Sequence, residues 1–148
     1  MALLRTAAVL AVRHADIDLP PTSDDPPLNA AGRARADALA RMVGGAGVTT
    51  ILTSQFLRTR QTAAPLAVRL GLTPQLTPAP AVLAGRVRTG ELGGVVLVAG
   101  HSNTIPEILA ALGATAPPPI TEAEFDNLYV AAVSAEAAQL VHLRFGAR

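Results

Sequence analysis

Two uninterrupted apolar runs stand out along the chain: AAVLAV at 7–12, stopped by Arg13-His14, and VVLVA at 95–99, followed by Gly100-His101. Short runs without polar alternation suit strands buried on both faces of a sheet. VTTIL at 48–52 is β-branched and reads as another strand. Between the strands the period lengthens. In AAGRARADALARMV, Ala31, Ala34, Ala38, Leu39 and Met42 recur at helical spacing, with Asn29 placed to cap the start and GGAG to end it. QFLRTRQTAAPLAVRL, 55–70, predicts a second helix closed by Gly71 and kinked or broken at Pro65. Residues 72–94 predict a short strand and a short helix. Another helix is expected from about Thr104 to Leu112, with Pro106 in its first turn. NLYVAAV at 127–133 and QLVHLRF at 139–145, joined by SAEA, predict a hairpin.

Strands alternating with helices and closing on a hairpin predict an α/β fold. The sheet should be doubly wound and mostly parallel, with helices on both faces and an antiparallel C-terminal hairpin. The 148 residues suit a single domain spanning 1–148. Half of the residues are apolar but only 3% are aromatic, so Ala, Val and Leu must build the core. A net charge of +1 without a basic run gives no reason to expect a nucleic-acid partner. The chain has no cysteine, which excludes disulfides, thiol catalysis and Cys-ligated zinc. The apolar run from Thr6 to Val12 is short for a signal peptide. No segment approaches the ~20 apolar residues of a membrane helix, so no membrane association and a cytoplasmic location are expected.

Ligands of open α/β sheets gather at the carboxyl ends of the strands. Three such ends are polar here: Arg13-His14, Thr53-Ser54 with Arg58 one turn into the next helix, and His101-Ser102. Two His and two Arg on one rim have a chemical meaning. Arg offers a permanently charged fork that fits phosphate oxygens. A neutral imidazole can attack phosphorus and carry the phosphoryl group. Neighbouring Arg cations favour that neutral form, and a second His can donate to the phosphoryl oxygens. Such a site needs no cofactor, and a metal held by His14, His101 and Asp16 would be repelled by the adjacent Arg pair. GHSNT at 100–104 also approaches the G-x-S-x-G turn of serine hydrolases, with Ser102, Asp126 and His142 in that fold's chain order. Thr104 stands where the turn wants Gly, and the reading leaves VRHAD and SQFLRTRQT without a role. His142 alternates with Val141 and Leu143 and should face solvent, while Glu124 and Asp126 should cap or pair near the last strand.

VRHAD at 12–16, PLNAAGRARADALA at 27–40, LTSQFLRTRQTAAPLA at 52–67 and VLVAGHSNT at 96–104 resemble, in order, the histidine phosphatase superfamily of phosphoglycerate-mutase-like fold. EFDNLYV at 124–130 is similar to a segment of its small bacterial members. The resemblance implies that His14 is the nucleophile and that Arg13, Arg58 and His101 complete a phosphate site, with Ser54 and Thr62 supporting it. It also implies a metal-independent phosphatase acting on a phosphorylated small molecule or a phosphoprotein. Family members usually carry a carboxylate between the second Arg and the second His, which protonates the leaving group. Between Thr62 and Val95 this chain has only Glu91, at the wrong end of the sheet; Asp16, on the rim two residues after His14, is the other candidate, and some short members with phosphohistidine substrates manage without such an acid. An idle member that binds a phosphorylated ligand without turnover is the alternative. So short a chain has few residues for the lid of a mutase.

Overall fold

A computed structural model describes residues 6–115 and 117–147. In chain order it contains β1 (Ala7–Arg13), α1 (Ala30–Val43), β2 (Thr50–Thr53), α2 (Leu57–Leu70), β3 (Gln75–Leu76), α3 (Pro80–Thr89), β4 (Val95–Gly100), α4 (Thr104–Ala111), β5 (Asn127–Val133) and β6 (Ala138–Arg144). The sheet order is β3-β2-β4-β1-β5-β6. β1 to β4 run parallel, while β5 is antiparallel to both β1 and β6. This is the expected doubly wound α/β sheet with its antiparallel hairpin. No helix among the described residues is long and apolar enough to cross a membrane.

Both faces of the sheet are covered, which is why β1 from Ala7 to Val12 and β4 from Val95 to Ala99 are apolar at every position. Leu39, Val43 and Leu66 of α1 and α2 pack on one face against Leu10, Val12 and Leu97. Leu83, Ile105 and Leu109 of α3 and α4 pack on the other against Val9, Val96 and Val98. Burying each such side chain contributes roughly 1.5–3 kcal/mol. Ala36, Ala40, Ala63 and Ala67 are all buried and small, so α1 and α2 can approach closely.

Three local expectations need correction. The buried face of α1 is Gly32, Arg35, Ala36, Leu39, Ala40 and Val43, so Ala31, Ala34 and Met42 lie exposed. The stripe is rotated because Arg35 and Gly32, unpromising as core residues, both serve the loop after β1. Pro65 does not break α2, which runs unbroken from Leu57 to Leu70. A proline forfeits one helical hydrogen bond, and buried Ala63, Leu66 and Ala67 hold the turns around it. β2 begins at Thr50 rather than Val48, because the Thr49 and Thr50 hydroxyls both donate to Leu92 O.

Asn29 caps α1 by accepting from Gly32 N–H at 2.9 Å, while its own N–H donates to Asp16 O at 3.0 Å. Helix α1 therefore starts against the loop that follows β1. A Cβ on Gly32 would lie 2.2 Å from Asp16 O. We predict that Gly32→Ala lowers unfolding free energy by about 1–3 kcal/mol, since backbone must move to admit the methyl. Gly85, inside α3 with open space around its Cβ position, should give the opposite sign: Gly85→Ala should stabilise by about 0.5–1 kcal/mol. Denaturant titration of the two variants checks both.

Candidate functional site

The register of two parallel strands builds the centre of the site. Arg13 of β1 lies beside Gly100 of β4, so the next residue of each strand, His14 and His101, must emerge side by side. His14 N–H donates to Gly100 O at 2.7 Å, and the two imidazole centroids are 5.5 Å apart, edge to face. On the far side of β4, Thr53 pairs with Ala99. That brings Ser54 abreast of the same edge, with Arg58 one turn into α2. Arg13, His14, Arg58, His101 and Ser102 all line one cavity of about 470 Å³.

His14 is 3% exposed. Its Nδ1 lies 2.8 Å from Ala15 O. A carbonyl can only accept, so Nδ1 carries the proton and Nε2 presents a lone pair. Burial pushes the His14 pKa down to about 3, against the pull of the Ala15 carbonyl, and the Arg13 cation adds to the effect. His101 is pushed down to about 4, again first by burial and then by Arg58 and Arg13. Desolvation thus outweighs the neighbouring cations that the sequence led us to credit.

Each side chain is held in place. Ala15 N–H donates to Thr62 Oγ1 at 2.8 Å, and that hydroxyl donates to Arg58 O at 2.7 Å. Ser54 Oγ hydrogen-bonds His101 Nε2 and Thr59 Oγ1, each at 2.8 Å. Ser54 does not line the cavity; it grips His101, and the ring nitrogen left for a ligand is Nδ1. Arg13, 6% exposed, stacks on the Phe125 ring at 4.3 Å. Its Nη1 donates to the carbonyls of Thr121, Glu122 and Glu124 at 2.8–3.1 Å, which staples that segment to the site. Arg58 lies over Phe56 at 4.6 Å, with Nη1 at 4.0 Å from Asp25 Oδ1. Arg13 Nε and Arg58 Nη1 are buried and have no hydrogen-bond partner among the described residues. Such orphaned donors cost about 1–3 kcal/mol each unless something accepts from them.

Asp16 is not brought to the cavity. Its carboxylate is forked by Arg35, with Nε to Oδ1 at 2.6 Å and Nη2 to Oδ2 at 3.3 Å. Arg35 also donates to Phe145 O at 2.7 Å and to Ala147 O. This pairing holds Asp16 away from the cavity lining and makes it an anchor for the loop after His14. Glu91 pairs with Arg86 at 3.4 Å, just before β4 and so at the amino end of the sheet. The hydrolase trio is not assembled. Asp126 and Glu124 each pair with Arg144 at 2.8 Å, while His142 bonds Asn127 Oδ1 and stacks on Tyr129. Two carboxylates on the cavity wall, Asp24 and Glu122, escaped the sequence reading. Both lie in segments without period, where no pattern marks them. Arg35 did leave a signal, a charge set among apolar stripe positions.

The geometry and fold define a histidine- and arginine-lined site at the carboxyl edge of a doubly wound sheet. Residues 9–79 match the model of the histidine phosphatase superfamily, branch 1, a stretch that holds Arg13, His14, Ser54 and Arg58. The protein histidine phosphatase SixA, solved with tungstate, superposes at TM-score 0.71 with 21% identity, over 93% of this chain and 96% of its own. A structure named mycobacterial hydrolase 1 gives 0.70 with 17% identity, over 97% and 100%. The mycobacterial glucosyl-3-phosphoglycerate phosphatase gives 0.66 with 16% identity, over 97% and 100%. No curated protein matches the sequence. The likeness to the histidine phosphatase superfamily thus covers residues 9–79, and the solved structures share the fold of this chain.

The depressed imidazole pKa values fix a pH dependence. Below pH 6.5 the unfolded chain binds protons that the folded site refuses, so stability is complete above 6.5 and falls as pH drops toward about 4 and then 3. We predict a declining Tm between pH 6.5 and 5, with a shallower decline in His101→Gln. Ring 15N shifts of His14 and His101 should remain those of neutral imidazole down to pH 5; a transition of either ring near 6.5 would contradict the burial argument.

Proposed function

We propose that the protein is a metal-independent phosphatase that works through a phosphohistidine at His14. The observation that carries this reading is the His14 ring itself. It is buried between two Arg residues, with Nδ1–H committed to Ala15 O and an unprotonated Nε2 left over. The substrate phosphoryl group docks against Arg13, Arg58 and His101, and accepts from the donors that lack protein partners. His14 Nε2 then attacks phosphorus in line. The P–N bond forms as the P–O bond to the alcohol breaks, and the alkoxide takes up a proton from solvent water. Water next attacks the phosphohistidine, restoring neutral His14 and releasing inorganic phosphate. His101 Nδ1, aligned by Ser54, faces the phosphoryl oxygens as charge moves onto them. Two Arg cations already neutralise a phosphoryl dianion, so a divalent ion would meet repulsion there.

The same ion pair that withdraws Asp16 favours a second reading, ligand binding without turnover. Hydrolysis of para-nitrophenyl phosphate in the presence of chelator separates the two, because this leaving group needs little protonation. We predict turnover by the wild type, a loss of at least about a thousandfold in His14→Ala, and a loss of about 10²–10³-fold in Arg58→Ala. Alkaline quench during turnover should trap a phosphoryl group on His14 that acid releases. Undiminished activity in His14→Ala would overturn the mechanism. Phosphate binding with no turnover would select the binding reading.

A further inference from the structure

The cavity lining carries charges of both signs. Arg13 and Arg58 stand there with His14 and His101 neutral. The exposed residues Asp24 and Glu122 line the same cavity, together with Ile17, Leu19 and Phe56. The chain has no lysine, and among the described residues Arg13 and Arg58 are the cavity's only cations.

A phosphoryl dianion balances those two Arg residues. Asp24 and Glu122 are then left facing whatever the phosphate is attached to. Neither carboxylate has an ion-pair or hydrogen-bond partner among the described residues, unlike Asp16, Asp25, Glu91, Glu124 and Asp126, which are all engaged. Glu122 projects from pinned backbone, its O accepting from Arg13 Nη1 at 2.8 Å. Asp24 precedes Asp25, whose side chain accepts from Leu57 N–H at 2.9 Å. A cavity of about 470 Å³ is roughly 8–10 Å across, comparable with the Debye length of about 8 Å at physiological salt. The charges on its lining therefore act on one bound molecule. Glu122 is also the strongest opposing charge felt by Arg13.

We propose that the cavity selects phosphate monoesters of cationic alcohols, the phosphoryl group lying against Arg13 and Arg58 and the ammonium group against Glu122 and Asp24. The inference rests on reading this cavity as the phosphate site. An apolar stem of two or three carbons joins the two groups and meets the apolar lining of Ile17, Leu19 and Phe56. Esters with a second anionic group are repelled by the same carboxylates.

Three phosphonates of similar size, whose C–P bond resists hydrolysis, test this by calorimetry on the wild-type protein: 2-aminoethylphosphonate, propylphosphonate and phosphonoacetate. The cationic probe should bind roughly tenfold more tightly than the anionic one, as expected for two partly exposed carboxylates at about two- to fivefold each. In the Glu122→Gln, Asp24→Asn double variant that ratio should fall to about one. Propylphosphonate affinity should stay within about twofold, which confirms an intact site. Equal affinity for all three probes, or preference for phosphonoacetate, would overturn the selectivity while leaving the phosphate site standing. Failure of inorganic phosphate and all three probes to bind would overturn both.

Discussion

The parallel pairing of β1 with β4 is the constraint from which the site follows. Arg13 opposite Gly100 puts His14 and His101 at the same height on adjacent strands, and one backbone hydrogen bond from His14 N to Gly100 O closes the arrangement. A slip of one residue in either strand would turn its whole side-chain set to the opposite face. Such a slip is expensive because Val9, Ala11, Val96 and Val98 pack on one face while Leu10, Val12, Leu97 and Ala99 pack on the other. The core thus specifies the relation between two imidazoles that lie beyond the ends of its strands.

Burial then does chemical work. Imidazoles in water are partly protonated near neutrality; here desolvation keeps both neutral beside two cations. The Arg residues answer the same desolvation differently. Guanidinium retains its charge, stacks on Phe125 and Phe56, and keeps donors that nothing among the described residues accepts. A site with neutral bases and charged, partly unsatisfied donors is prepared for an anion that brings its own oxygens.

Much of this was legible in the residues because it is local. Apolar runs identified β1 and β4, and the polar pairs ending them identified Arg13, His14 and His101, since strand ends in such sheets need no long-range information to locate. Where sequence reasoning failed, the cause was distance along the chain. Asp16 reads as a candidate acid on the rim, but its partner Arg35 lies 19 residues away on α1. Ser54 reads as a support of the site, but that its partner is His101, 47 residues on, is told by no local pattern. Glu122 and Asp24 belong to irregular segments, whose side chains converge only after Arg13 has gathered three carbonyls around itself. Pro65 misled for the opposite reason: a strong local rule yielded to packing.

Arg35 also sets an order of assembly. Its guanidinium joins the Asp16 carboxylate to Phe145 O, 110 residues further along, and to Ala147 O. A nascent chain that has made every residue of the cavity, but not yet released residues 145–147 from the ribosome, still lacks this tie. The loop that carries His14 then lacks its fastening to the residues after β6. It is fully tied only once that final stretch has joined the fold, so the surroundings of this imidazole are among the last parts of the structure to be completed.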